Sequence, residues 1–227
     1  MSDIRFEQVG QRFGDRSVLQ DVTLHLTEHR IGIVGANGSG KSTLVRMING
    51  LVTPTTGTVT VDGQNVARHA RDVRRKVGFI FTNPDNQIVM PTVQEDVAFT
   101  LRRRGLSPAE IATRTAAALD QFRLSEHAEH PAHRLSGGQK QLLALAAVLV
   151  AEPATIVADE PTTLLDARNA RRINDLLQTL PQQVIMVTHH LHLVEEFDRV
   201  IVVDGGTVVA DGEPHESLAT YRALLLA

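Results

Sequence analysis

The chain has 227 residues, of which 42% are hydrophobic and 22% charged, the proportions of a globular domain rather than a disordered segment. With 23 basic and 26 acidic residues the formal charge is −3, so the basic excess expected of a protein that grips nucleic acid through its phosphates is missing. There are no cysteines, which excludes disulfides, thiolate zinc sites and cysteine nucleophiles and suits a reducing compartment.

Residues 4–9 and 22–26 alternate apolar and polar side chains, as half-buried antiparallel strands do. The first of these begins close to Met1, and the segment carries no signal-peptide core. Residues 30–34 form a short apolar run entering a glycine-rich turn, and 42–50 then has helical spacing. Residues 59–63 predict a strand closing in a turn, and 77–81 a buried strand. From Pro84 the character changes: 108–122 and 139–151 read as helices, separated by Asn, Pro, Gly and His. Strand patterns return at 155–158, 184–187 and 200–203, and an amphipathic helix is expected over 167–180. The longest apolar run, residues 142–151, falls well short of the roughly 20 residues that a bilayer-crossing helix needs. There is no internal repeat. The pattern predicts an α/β fold with a parallel core sheet, an antiparallel β part and a helical insertion. It makes one domain over 1–227, with 1–83 and 153–227 as core and 84–152 as the helical part.

Three motifs carry chemistry. Gly35-Ala36-Asn37-Gly38-Ser39-Gly40-Lys41-Ser42 is a full G-x-x-x-x-G-K-S match between an apolar strand and a helix. Glycines let successive N–H groups point inward, and the helix N-terminus adds positive dipole, so phosphate oxygens are cradled. Lys41 brings a charge for the β- and γ-phosphates and Ser42 a hydroxyl for Mg²⁺, with Thr43 next to it in the binding set. The bland alternative is a glycine turn before a helix; the flanking strand and helix favour nucleotide binding. The second motif, Ile156-Val157-Ala158-Asp159-Glu160, is an apolar strand ending in two carboxylates. Asp159 is placed to hold Mg²⁺ through water and Glu160 to orient or deprotonate an attacking water, although acidic residues after strands are also common helix caps. The third, Leu135-Ser136-Gly137-Gly138-Gln139, precedes a long apolar helix. Ser136 is a natural N-cap, and the glycines allow close approach to an anion.

Together these segments, with Asp159-Glu160-Pro161-Thr162, resemble the ATP-binding cassette ATPases over essentially the whole chain. The resemblance implies two subunits packed head to tail, each ATP and its Mg²⁺ lying between one subunit's phosphate loop and the other's Ser136, Gly137, Gly138 and Gln139. It implies that Phe13 stacks on adenine, that Asp166 belongs to the loop linking the two sites, and that His189 contacts the γ-phosphate. Read without the family, Phe13 fits a core aromatic, Asp166 a helix N-cap and His189 a strand-end histidine. Thr82 stands where the family usually has a glutamine that joins the Mg²⁺ shell. Gln87, five residues on, is a possible substitute that lies far along the chain. His190 stands where an acidic residue commonly follows the switch histidine.

Asn83-Pro84-Asp85-Asn86-Gln87 and Pro91-Thr92-Val93-Gln94-Glu95-Asp96-Val97-Ala98-Phe99 resemble the energy-coupling-factor branch, within it the ATPases of biotin uptake systems. That resemblance implies a homodimer, peripheral at the cytoplasmic face of the membrane. It would work with an integral T-component that inserts coupling helices near this segment and with a substrate-binding S-component; cobalt or nickel uptake is the alternative cargo. His127, His130 and His133, and the cluster His189, His190 and His192, lack metal-type carboxylates beside them and read as solvated histidines, and Arg102-Arg103-Arg104 as a solvated face. A base-reading N-K-x-D motif of GTP switches is missing, as are the coiled-coil or zinc insertions of cassettes acting on DNA or ribosomes. A non-hydrolysing regulatory cassette is the remaining rival.

Overall fold

The computed structural model describes residues 1–102 and 104–226; Arg103, inside the arginine run, and Ala227, at the end of the expected domain span, lie outside the described residues. Two sheets organise the chain. The first is antiparallel, in the order β2-β1-β4-β5, built from β1 (Ile4–Phe13), β2 (Arg16–Leu26), β4 (Thr56–Val61) and the short β5 (Gln64–Asn65). The second has six strands in the order β10-β9-β3-β8-β7-β6. Its members are β3 (Arg30–Val34), β6 (Val77–Ile80), β7 (Thr155–Asp159), β8 (Gln183–Val187), β9 (Arg199–Asp204) and β10 (Thr207–Gly212). All its pairings are parallel except the one to β10 at the edge. Helices are α1 (Lys41–Ile48), α2 (Val66–Lys76), α3 (Val93–Leu101), α4 (Pro108–Gln121), α5 (Gly137–Leu149), α6 (Ala167–Thr179) and α7 (Pro214–Leu224).

The sequence-predicted strands and helices are present, with ends moved by a few residues. Residues 4–9 and 22–26 prove to be the outer halves of one long hairpin that turns at Gly14. Helices α2, α3 and α7 and strands β5 and β10 have no counterpart among the elements expected from the sequence. In α2 only Val66 and Val73 are buried, so its sequence carries too little apolar periodicity to announce a helix.

Strands β3, β7 and β8 are buried along their whole length, which is why they read as continuous apolar runs rather than alternating ones. Their side chains still alternate between two cores. Ile156, Ala158, Val184 and Met186 face a cluster shared with α3 to α7, whereas Val157, Ile185 and Val187 face one shared with β1, β2, β4, α1 and α2. The helical region and the antiparallel sheet therefore pack on opposite faces of the central sheet. Gly78 lets α5 approach β6, since a Cβ there would lie 2.3 Å from Val148 Cγ1.

Arg30 fastens the end of the sheet remote from the phosphate loop. Its guanidinium is buried and donates to the carbonyls of His29, Gln182, Gln178 and Leu180, the last two at the C-terminus of α6. Its main-chain N–H donates to Asp198 Oδ2 at 2.7 Å. Burial pushes the Arg30 pKa down, and the Asp198 carboxylate opposes the shift. Arg30→Met removes these donors while leaving the carbonyls inside, so it is expected to lower unfolding stability by about 2–4 kcal/mol in chemical denaturation.

Candidate functional site

Parallel pairing in register brings the C-terminal ends of β3, β7 and β8 to one edge of the sheet, with Ile33 and Asp159 both paired to Val187. The loops leaving this edge carry the phosphate loop after β3, Glu160 after Asp159 of β7, and His189 after β8, as ligand sites at the carboxyl ends of parallel strands generally do; the third motif, 135–139, stands apart at the start of α5. The first loop leaves β3 at Gly35, whose φ of 150° and position 2.0 Å (for an added Cβ) from the Val203 carbonyl leave room for glycine alone. At Gly38 an added Cβ would face open space, with only Arg16 Nη2 within 4 Å. Lys41 is buried at the start of α1, and its ammonium arches back to donate to Gly35 O at 2.9 Å and Ala36 O at 2.8 Å. Burial pushes its pKa down, and the carboxylates of Glu160 and Asp159 partly restore it. Ser39 is buried, and its Oγ has no hydrogen-bond partner among the described residues. Asn37 is exposed at the loop tip and Thr43 is half-buried in α1. The β1–β2 hairpin reaches this loop: Phe13 is 54% exposed beside Arg16 at the hairpin end, which an ordinary core aromatic would not be.

Asp159 closes β7 with no exposure at all. Its Oδ1 accepts from Ser42 Oγ at 2.8 Å and its Oδ2 from an Arg46 Nη2 at 3.0 Å, so α1 supplies both partners. Glu160 follows at φ 53°, a left-handed conformation that disfavours a side chain. One of its oxygens, Oε2, accepts from Thr163 Oγ1 at 2.6 Å and from His189 Nδ1 at 2.5 Å, while Oε1 takes no partner among the described residues. A carboxylate only accepts, so His189 presents its Nδ1–H to Glu160 and turns Nε2 outward. The His190 ring packs on that of His189, with centroids 4.0 Å apart. Burial and the charges of His189 and His192 push the His190 pKa down, against the pull of Glu160.

Thr82 stands next to this pair, with its hydroxyl donating to the main-chain oxygen of Asp159 at 2.7 Å. Gln87 is not brought to the site: its amide accepts from Phe81 N at 3.2 Å and donates to Ala144 O at 3.0 Å, bridging the end of β6 to α5. Ser136 begins α5 in a capping box with Gln139, which leaves its hydroxyl proton free to donate elsewhere. Gly137 is exposed with open space around it, whereas a Cβ at Gly138 would meet Asn169 at 2.6 Å. That asparagine donates to Asp166 Oδ2 at 2.8 Å, and Asp166 in turn caps α6 by accepting from Asn169 N at 2.9 Å. No hydrogen bond joins 136–139 to the phosphate loop among the described residues. The alternative of Asp166 as a helix N-cap is thus present in the geometry.

Sequence reasoning missed Arg46, Thr163, Arg16 and Asn169. Arg46 lies four residues after Ser42, on the same helix face, and Thr163 three after Glu160, so local spacing could have suggested both. Arg16 and Asn169 come into place only through tertiary packing. No group of three or more His, Asp or Glu side chains among the described residues is placed to hold a metal by itself. Within the two histidine sets, His127 bonds to His130 and Gln139, and His189 to Glu160, so these three are not simply solvated. A hydroxyl and a carboxylate, Ser42 and Asp159, nevertheless form the all-oxygen donor set that suits Mg²⁺ accompanied by phosphates. The orphaned Ser39 Oγ and the open side of Gly38 fit a phosphate in the loop.

The sequence profile of the ABC transporter family matches residues 19–163. A Bartonella quintana protein named for ABC transporter ATP binding, with no substrate in its name, is 50% identical over 97% of this chain and 98% of its own. The biotin transport ATP-binding protein BioM of Rhizobium etli is 45% identical over 98% of this chain and 99% of its own, and the energy-coupling factor transporter ATP-binding protein EcfA1 of Caldanaerobacter subterraneus is 44% identical over 91% and 77%. Among solved structures, cbiO1 of Clostridium perfringens, described as part of the ABC transporter complex cbiONQ, superposes with a TM-score of 0.83 at 29% identity, covering 98% of this chain and 92% of its own.

Among the described residues, Arg46 is the only cation in salt-bridge contact with Asp159. Arg46→Met is expected to destabilise the fold by about 2 kcal/mol, less than for a fully buried pair because the guanidinium is 41% exposed, as read from denaturation midpoints.

Proposed function

The chain belongs to the ABC transporter ATPases, as an ATP-binding subunit of the ABC and energy-coupling-factor type, and from that premise we propose that it powers uptake of a vitamin, biotin, through integral membrane T- and S-components. The observation that carries the reading is an ATPase site built on β3, β7 and β8, in a chain whose relatives named for biotin transport are 45% and 43% identical almost end to end. No helix among the described residues is long and apolar enough to cross a membrane, so work on a membrane solute is supplied by partners. We place the chain at the cytoplasmic face as a homodimer. A groove lined by Asp85, Ile88, Val89, Met90, Pro91 and His133 is the proposed seat of a T-component coupling helix. Asp96 shapes its rim by accepting from Val89 N and Met90 N.

The reaction is in-line attack of water on the γ-phosphate of ATP. In this reading the loop amides and Lys41 bind the phosphates, Phe13 stacks on the adenine, and Ser136 and Gly138 of the second subunit donate from across the dimer. Glu160 Oε1 faces the water, while Thr163 and His189 hold Oε2 and so fix the carboxylate plane. His189 keeps Nε2 free toward the γ-phosphate, and Asp166 carries the link between the two sites. Ser42 and Asp159, with Thr82 beside them, would hold Mg²⁺, which supplies positive charge against the β- and γ-phosphate oxygens. Hydrolysis is expected over the regulatory alternative because Glu160 and His189 are paired.

Glu160→Gln is expected to bind ATP as the parent does and to hydrolyse it about 10²-fold more slowly or worse; unchanged turnover removes Glu160 from its role. Lys41→Ala should weaken nucleotide binding itself in a direct titration. Purification of the tagged chain from native membranes in mild detergent should recover two small, very hydrophobic proteins, one of which binds biotin. Recovery with ribosomal or DNA-bound partners alone would sink the transporter reading.

A further inference from the structure

A hydrogen-bonded chain runs from Ser136 and Gln139 of the third motif to two histidines outside the family motifs, in the segment that precedes the Ser136 helix. Ser136 N donates to Gln139 Oε1 at 2.9 Å. A main-chain N–H can only donate, so this bond fixes which end of the Gln139 amide is oxygen and which is nitrogen. Gln139 Nε2 then faces His127 Nε2 at 2.9 Å. The amide nitrogen carries donors only, so His127 Nε2 must be bare, and the neutral ring carries its proton on Nδ1. That nitrogen lies 3.0 Å from His130 Nδ1, which accepts from it. The donor and acceptor roles of three side chains thus follow from one main-chain amide. The turn bearing the histidines is itself held from the other side, where Gln94 N donates to Ala128 O and Val93 N to His130 O.

We propose that His127 is a positioning residue for ATP hydrolysis: through Nε2 it holds the Gln139 side chain in the capping box and thereby fixes Ser136 and the N–H groups that face the partner's nucleotide, with His130 holding His127 in the Nδ1–H form. This rests on the reading that residues 136–139 meet ATP across the dimer. Losing His127 leaves the Gln139 amide tethered only by Ser136 N, so the cap loosens without any loss of the phosphate loop that binds ATP in the same subunit. The effect therefore falls on turnover and not on nucleotide affinity.

Two measurements on the full chain test it. Long-range proton–nitrogen correlation spectra of the nucleotide-free, ¹⁵N-labelled protein near neutral pH, with His127 assigned through the His127→Gln variant, should show a proton on Nδ1 and none on Nε2. This is the opposite of the tautomer favoured by a free histidine side chain. An Nε2–H ring overturns the proposal, whatever the variants do in hydrolysis assays. In hydrolysis assays His127→Ala should lower kcat about five- to tenfold, the loss of one hydrogen bond, with KM for ATP within about twofold. His127→Gln, whose amide oxygen falls near the position of imidazole Nε2 and accepts equally well, should restore kcat to within about twofold of the parent. Equal losses in both variants, or none in His127→Ala, overturn it. Ser136→Ala separates the two layers of the argument. If it slows hydrolysis while His127→Ala does not, only the role of His127 falls; if neither does, residues 136–139 do not meet ATP.

Discussion

A carboxylate removed entirely from water must be met by donors, and at Asp159 every donor comes from α1. Ser42 and Arg46 stand one helical turn apart, so the phosphate helix cannot shift along its axis without losing one of them. That pair of contacts sets the distance between the loop that cradles phosphate and the strand end that carries Glu160. The ordering of the remaining site follows. Glu160 N bonds to the Val187 carbonyl, which places β8 and therefore His189, and Thr82 bonds to the Asp159 carbonyl, which places the end of β6. Three strands, β6, β7 and β8, and one helix are thus indexed to a single buried oxygen pair and the main chain around it.

The two cores divide the mechanical work. One joins the central sheet to α1 and the antiparallel hairpin. The other joins the same sheet to α3 through α7. Where they meet, the end of β6 is clamped to α5 by Gln87, with its amide on Phe81 N and Ala144 O. The glutamine that the family pattern places one residue past Phe81 is a threonine here, whose hydroxyl bonds to the Asp159 carbonyl at the end of β7. In this chain the junction between sheet and helical region is therefore a short, directly bonded contact.

The motifs and the buried strands were legible because both are local: glycines at fixed spacing in one case, unbroken apolar runs in the other. What stayed hidden depends on pairing across the chain. Helix α2 is stabilised by two apolar residues and a polar face, so its periodicity is faint. Helix α3 had a readable start, Thr92 and Glu95 forming a capping box, yet its apolar residues follow no clean stripe. Distance along the chain already disfavours Gln87 as a stand-in for the missing glutamine; what the sequence could not show is that its side chain satisfies two main-chain groups that would otherwise be orphaned. Gly138 shows the opposite case: the sequence suggested room for an anion, and the structure adds that Asn169 fills the space a side chain would need.

The left-handed backbone at Glu160 has a bearing on how this protein can be improved or can drift. A non-glycine residue there carries a conformational cost on the order of 1 kcal/mol, which asparagine or glycine would largely remove. Selection for thermal robustness alone, in a directed-evolution library or in a lineage relieved of its transport duty, would therefore move position 160 toward those two residues. On the role proposed for Glu160, a homologue with glycine or asparagine there would be a sturdier fold that has stopped turning over, and the loss would show in its sequence as a gain in stability.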